Sequence, residues 1–325
     1  MRNGWIVLGV TLSGCVAPAP SADAAARSDV ETGDVRVQPD AQVVDARDGD
    51  AMVMGCGRCA RYAEPVFSGR RPNVINELSG LAASAVHPGI YWAHNDSGDS
   101  ARLFAIGPDG AVVGEYAITG ASAADWEDIA VAPCPVGGGS CIVIGDVGDN
   151  PSTRTSVDLY RVREPSMLQA MGSLEATRFR VRYPSGAMNC EAIVVDRADG
   201  RTALLIEKAS SATLRVVTVD VSAAMGGAVM ASEHGTIANF NGALVTGADM
   251  HPCDRSIIVR TYASAWELRG ASGATLVDLS RAMRAEVPAA AEVQGEAIAY
   301  VHDGRGYITS SEGTTAVFRA TSCAR

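Results

Sequence analysis

Basic charge is scarce in this chain. In 325 residues, 27 Lys and Arg stand against 37 Asp and Glu, for a formal net charge of −10 and a pI near 5.0. That balance argues against a nucleic-acid polymer as partner. Aromatic residues make up only 5%, although a hydrophobic share of 47% is ample for a core. There is no G-x-S-x-G, no phosphate-binding loop and no dinucleotide fingerprint, and the five His show no triad order, so nucleophilic hydrolysis finds little support. "CGRC" at 56–59 has no second CxxC to complete a zinc site and no thioredoxin-like βαβ pattern around it. A structural bridge near the domain entrance suits it better. Helical periodicity is almost absent.

What is present is a repeat. "NELSG" (76–80), "DWEDI" (125–129), "NCEAI" (189–193), "VTGAD" (245–249) and "QGEAI" (294–298) each set a polar or acidic residue ahead of an apolar run. The shared positions are Ser79, Glu127, Glu191, Thr246 and Glu296, spaced by 48, 64, 55 and 50 residues. Each return opens a series of short strand-like segments punctuated by turns such as "PDG" at 108–110. The fourth series holds a stretch, "DLSRAMRAE", that allows a short helix. Four antiparallel strands per repeat at this spacing predict an all-β, five-bladed β-propeller over 56–325. The last repeat lacks its fourth strand, and "ARYAEPVF" (60–67) is free to supply it. Six blades are the alternative, if 205–245 or 268–292 hides a weak repeat.

The first fifteen residues have a basic start at Arg2, a short apolar run, and Leu12-Ser13-Gly14 ahead of Cys15. The run is too short for a spanning helix and is built like a cleaved signal. It resembles a bacterial lipoprotein signal, which implies lipidation at Cys15. Val16, rather than Asp, follows the cysteine, so the resemblance implies an outer-membrane or cell-surface anchor. Residues 16–54 carry eight Asp and Glu against three Arg among Pro, Ala and Ser, the composition of a disordered acidic linker reaching to about residue 55. An exported chain meets an oxidising compartment, and seven cysteines remain after Cys15. Cys134 and Cys141 frame a Gly-rich loop and are expected to pair; Cys190, in an apolar run, is the candidate free thiol.

In a propeller, the first strand of each blade lines the central channel, so Ser79, Glu127, Glu191, Thr246 and Glu296 are expected to face one axis. Three carboxylates meeting there repel one another and are costly to desolvate. A bound cation relieves this most simply, and an all-oxygen set suits Ca²⁺. Carboxylates solvated at the mouth, or bound to backbone N–H groups, are the alternatives. The order Ser, Glu, Glu, Ser/Thr, Glu on successive inner strands resembles that of the calcium-activated apyrases, five-bladed propellers with one central calcium. "ELSGLA" and "GEAIAY" also resemble the blade starts of bacterial SdiA-regulated and phytase-like propellers.

The second strand of each repeat ends in polar residues: His94-Asn95-Asp96, Asp146, Glu207-Lys208, Arg260 with Tyr262, and Glu312. Converging on one rim, these would bind a small molecule, glycan or protein, making the chain a membrane-anchored, monomeric recognition module. The alternative is a calcium-dependent hydrolase of phosphate esters or nucleotides. In that reading Arg260 and Lys208 hold phosphate, and Asp96 or Glu312 positions water.

Overall fold

The computed structural model describes residues 55–324 apart from 224, 225, 293, 314 and 315. The signal-like stretch with Cys15, and the linker up to residue 54, lie outside the described residues.

After a first strand, β1 (Val66–Arg70), the chain lays down one antiparallel four-stranded unit after another. The first is β2 (Leu78–Ala83), β3 (Tyr91–Asn95), β4 (Arg102–Ile106) and β5 (Val112–Thr119). The second is β6 (Trp126–Pro133), β7 (Ser140–Asp146), β8 (Val157–Arg163) and β9 (Met171–Arg182). The third is β10 (Cys190–Val195), β11 (Thr202–Glu207) and β12 (Thr213–Asp220); after a short β13 (Val229–Met230) it is completed by β14 (Ser232–Ala238). In the fourth, β15 (Val245–Met250), β16 (Ser256–Thr261) and β17 (Ala265–Arg269) are followed by a helical turn, α1 (Leu276–Ser280), and β18 (Met283–Val287). The last has only β19 (Gly295–Tyr300), β20 (Gly306–Ser311) and β21 (Val317–Ser322), and β1 pairs with β21 to complete it, Val66 opposite Ala320 and Arg70 opposite Val317.

The inner strands run in a closed circuit. β2 packs against β6, β6 against β10, β10 against β15, β15 against β19, and β19 returns to β2. The protein is an all-β propeller closed by its N-terminal strand, as the short last repeat requires. That strand is Val66–Arg70, however; of the expected 60–67 only Val66 and Phe67 belong to it, with an isolated bridge from Tyr62 to Cys323 ahead of it. Because each inner strand is covered by neighbours on both faces, β2, β10, β15 and β19 are buried at every residue and show no alternation. Outer strands such as β9 alternate between exposed and covered. The apolar core accordingly sits between adjacent units: Trp92, Trp126 and Tyr160 between the first and second, Phe179 and Ile193 between the second and third.

Turn chemistry matches the sequence. In "PDG", Gly110 takes φ +84°, and a Cβ there would lie 1.9 Å from the Arg70 carbonyl oxygen, so only glycine lets the turn meet β1. Among the described residues there are three disulfides, two of which fix the ends. Cys134–Cys141 closes the β6–β7 hairpin with a Cα separation of 4.9 Å, and Cys56–Cys253 and Cys59–Cys323 anchor the segment ahead of β1 to the fourth and fifth units. Cys190 is free and buried.

Candidate functional site

Every inner strand starts with a β-bulge. Pairing with the second strand slips between Leu78 and Leu81, Trp126 and Asp128, Cys190 and Ala192, Val245 and Gly247, and Gly295 and Ala297. Those slips bracket Ser79, Glu127, Glu191, Thr246 and Glu296. The recurring residue is therefore the one that the ladder leaves out, and a bulge re-aims such a side chain. This is the local reason the five positions recur.

The five side chains then divide by chemistry. The two hydroxyls stitch neighbouring units together: Ser79 Oγ donates to the Glu127 carbonyl at 2.5 Å, and Thr246 Oγ1 donates to the Gly295 carbonyl at 2.7 Å. Glu127, Glu191 and Glu296 face a cavity of about 190 Å³ at one end of the channel, with Ser79 also on its wall. Thr246 is fully buried and is not part of that wall, so the expectation that it joins the cation's ligands is corrected. Its oxygen is spent on the inter-unit bond.

Asp96, Lys208, Tyr262 and Glu312 from the expected rim line the same cavity, together with Asn150 and Gln294. Asp96, Asp125 and Glu127 each bring a carboxylate oxygen within 4.8 Å of the others. Gly148 makes room for this: a Cβ there would lie 2.1 Å from Glu127 Oε1 and 2.5 Å from Asp125 Oδ2. Across the cavity the Lys208 ammonium meets the Glu191 carboxylate and sits 4.8 Å from the centre of the Tyr262 ring. Glu296 is only 7% exposed and accepts no hydrogen bond among the described residues.

Burial dominates the electrostatics. It raises Glu296 to about 9, Glu191 to about 7 despite the opposing pull of Lys208, and Asp96 to about 6. Glu127 is raised by burial and then by the charge of Glu191, and Asp125 is raised by burial. These groups resist ionising together unless a cation joins them. The donors are all hard oxygens with no His or Cys, which fits calcium or magnesium and not zinc or copper.

The other rim residues lie elsewhere, each for a visible reason. His94 is buried edge-on to Trp126, with Nδ1 on the Asn95 carbonyl at 2.9 Å. Asn95 ties the loop ahead of β2, accepting from the Glu77 N–H at 3.1 Å and donating to the Val74 carbonyl at 3.0 Å. Asp146 accepts from the N–H groups of Ala124 and Asp125 and pairs with Arg154 at 2.9 Å. Glu207 pairs with Arg215 at 3.0 Å. Arg260 is fully buried, pairs with Glu292 at 2.5 Å, and does not reach the cavity.

Sequence reasoning missed Asp125, although it stands two residues ahead of Glu127 in "DWEDI". It also missed Asp128, whose carboxylate, buried behind the cavity, accepts from Ile129, Ile193 and Ala248 N–H groups and so joins three inner strands.

No protein-family model matches this chain, and no curated protein does. Among solved structures it is similar to the PQQ-bound form of an aldose sugar dehydrogenase from Streptomyces coelicolor, at 10% identity over 80% of this chain and 97% of that one, with a TM-score of 0.46. It is also similar to the Pan2 WD40 domain of Neurospora crassa, at 8% identity over 76% of this chain and 64% of that one, with a TM-score of 0.36. At such identities neither bears on what this chain binds. Its three disulfides are those of a periplasmic or extracellular protein, and no helix among the described residues is long and apolar enough to cross a membrane.

Proposed function

We propose that this propeller binds a hard divalent cation, calcium first, at the mouth of its channel and uses the loaded mouth to recognise a ligand. The observation that carries the reading is the approach of Asp96, Asp125 and Glu127 to within 4.8 Å of one another, with the unpartnered and buried Glu296 on the same cavity. Asp96, Asp125 and Glu127 are the ligands, with Ser79 close by; waters complete the coordination. The propeller is held at the outer membrane or cell surface by a lipid on Cys15, with the acidic linker as spacer. It works as a monomer on a small molecule, glycan or protein.

The phosphate-hydrolase alternative has less behind it. Arg260 is committed to Glu292 away from the cavity, and the one ammonium there is already neutralised by Glu191. The carboxylates that crowd that ammonium disfavour a phosphate there.

Calorimetric titration of the metal-free protein with calcium tests the reading. Saturable binding that falls at least about tenfold in Asp125→Asn and Glu127→Gln is expected, a loss of about 1.4 kcal/mol or more per variant. Calcium affinity equal in wild type and both variants would exclude the triad.

A further inference from the structure

Positive charge is unevenly spread around this cavity. Asp96, Asp125 and Glu127 gather where the first two units meet, and none of them forms an ion pair among the described residues. On the other side stands Lys208, one residue beyond β11. Its side chain is only 10% exposed, its ammonium meets Glu191, and the Tyr262 ring lies 4.8 Å away. Glu296 adjoins this group, buried and without a hydrogen-bond donor, and the Lys208 charge acts on it.

An ammonium is a compact, strongly hydrated point charge, and of the side chains it comes nearest to a small metal ion in its needs. Around Lys208 stand hard oxygens of the kind such an ion would take, the Glu191 carboxylate in contact and Glu296, Asn150 and Gln294 on the same cavity wall, while the Tyr262 ring face suits the ammonium. The tether also spares it the entropy that a free ion loses on binding.

Resting on the reading that the triad holds one divalent ion, we infer that Lys208 is a built-in counter-ion. It fills a second cation subsite lined by the oxygens of Glu191 and Glu296, and so limits the cavity to a single metal ion. Glu191 has a bound counter-charge without a second metal, and the mouth keeps one exchangeable cation in place of two.

Counting bound calcium by equilibrium dialysis of the full chain with metal analysis tests this. Wild type should hold one ion, Lys208→Met two, and Lys208→Arg, which keeps the charge, one. A K208M protein that binds as many ions as wild type overturns the inference and leaves the triad reading standing. Two ions on wild type do the same. No calcium on any of the three refutes both. The variants are refolded with calcium present, with Lys208→Gln beside Lys208→Met. If both neutral variants stay unfolded there, calcium cannot take the place of the ammonium, and the inference fails.

Discussion

At the scale of single residues, side chains a few positions apart on the same kind of strand do opposite work. Glu127 faces the cavity, while Asp128 turns inward to accept three backbone N–H groups. Gly148 permits the first arrangement. Gly148→Ala would drive a methyl group onto the Glu127 and Asp125 carboxylates, so calcium affinity should fall by at least about tenfold, about 1.4 kcal/mol, as read by titration calorimetry. An unchanged affinity would mean that those carboxylates do not converge on an ion. His251 offers a test away from the cavity. Its Nε2 donates to the Gly304 carbonyl at 3.0 Å, and its Nδ1 accepts from the Cys253 N–H at 3.3 Å, a pattern that only the neutral ring can make. Burial lowers its pKa below the ordinary histidine value, so the unfolded chain takes up the proton first. The stability is therefore complete above the ordinary histidine pKa of about 6.5 and is lost as pH falls below it, by up to about 1.4 kcal/mol per unit. Denaturant unfolding at pH 7 and pH 5 should show a larger loss for wild type than for His251→Gln; equal losses would show that His251 is charged in the fold.

At the scale of strands, the repeated motif was legible because its polar residue interrupts an otherwise apolar inner strand. What it does there was not legible. A bulge leaves no mark that distinguishes Thr246, bonded to the next unit, from Glu191, open to the cavity, since both precede the same apolar run. The rim expectation failed for a related reason. A strand's last polar residue looks the same in sequence whether it points to solvent or, like Arg260, is buried against a partner from a distant loop. The closing strand was legible from arithmetic, one strand missing at one end and one spare at the other. Its staples can be ranked. Cys59–Cys323 spans 264 residues and Cys134–Cys141 only 7. In the loop-entropy account the first is worth about 5 kcal/mol and the second about half that. Replacing both cysteines of each pair by Ser should rank the two losses accordingly in denaturant titrations. A larger loss from the short loop would mean that the ring does not depend on its N-terminal staple.

At the scale of the whole molecule, the five units are joined mainly by contacts between neighbours, with Asp128 reaching from the second unit to the fourth, and charge collects at one end of the channel. Glu127, Glu191 and Glu296 come from three different inner strands, with Asp96 and Glu312 from two second strands or the turns after them. A cation held by Asp96, Asp125 and Glu127 would join the first unit to the second, and because the ring closes through neighbour contacts its loss should be felt by the ring as a whole. At a calcium concentration about a hundredfold above the dissociation constant, mass action alone contributes about 2.7 kcal/mol. For a domain of this size that corresponds to roughly 5–10 °C in melting temperature. Adding a chelator to the calcium-loaded protein should lower the transition by that amount as one cooperative step. Restoring calcium should reverse it, and sodium chloride at matched ionic strength should not, because ions held in bulk solution screen buried charges poorly. If sodium chloride protects as well as calcium, the mouth is only a screened acidic surface and the cation site is lost. If chelation instead splits the transition in two, the ring is a set of separately stable units, and the cation does not hold it together.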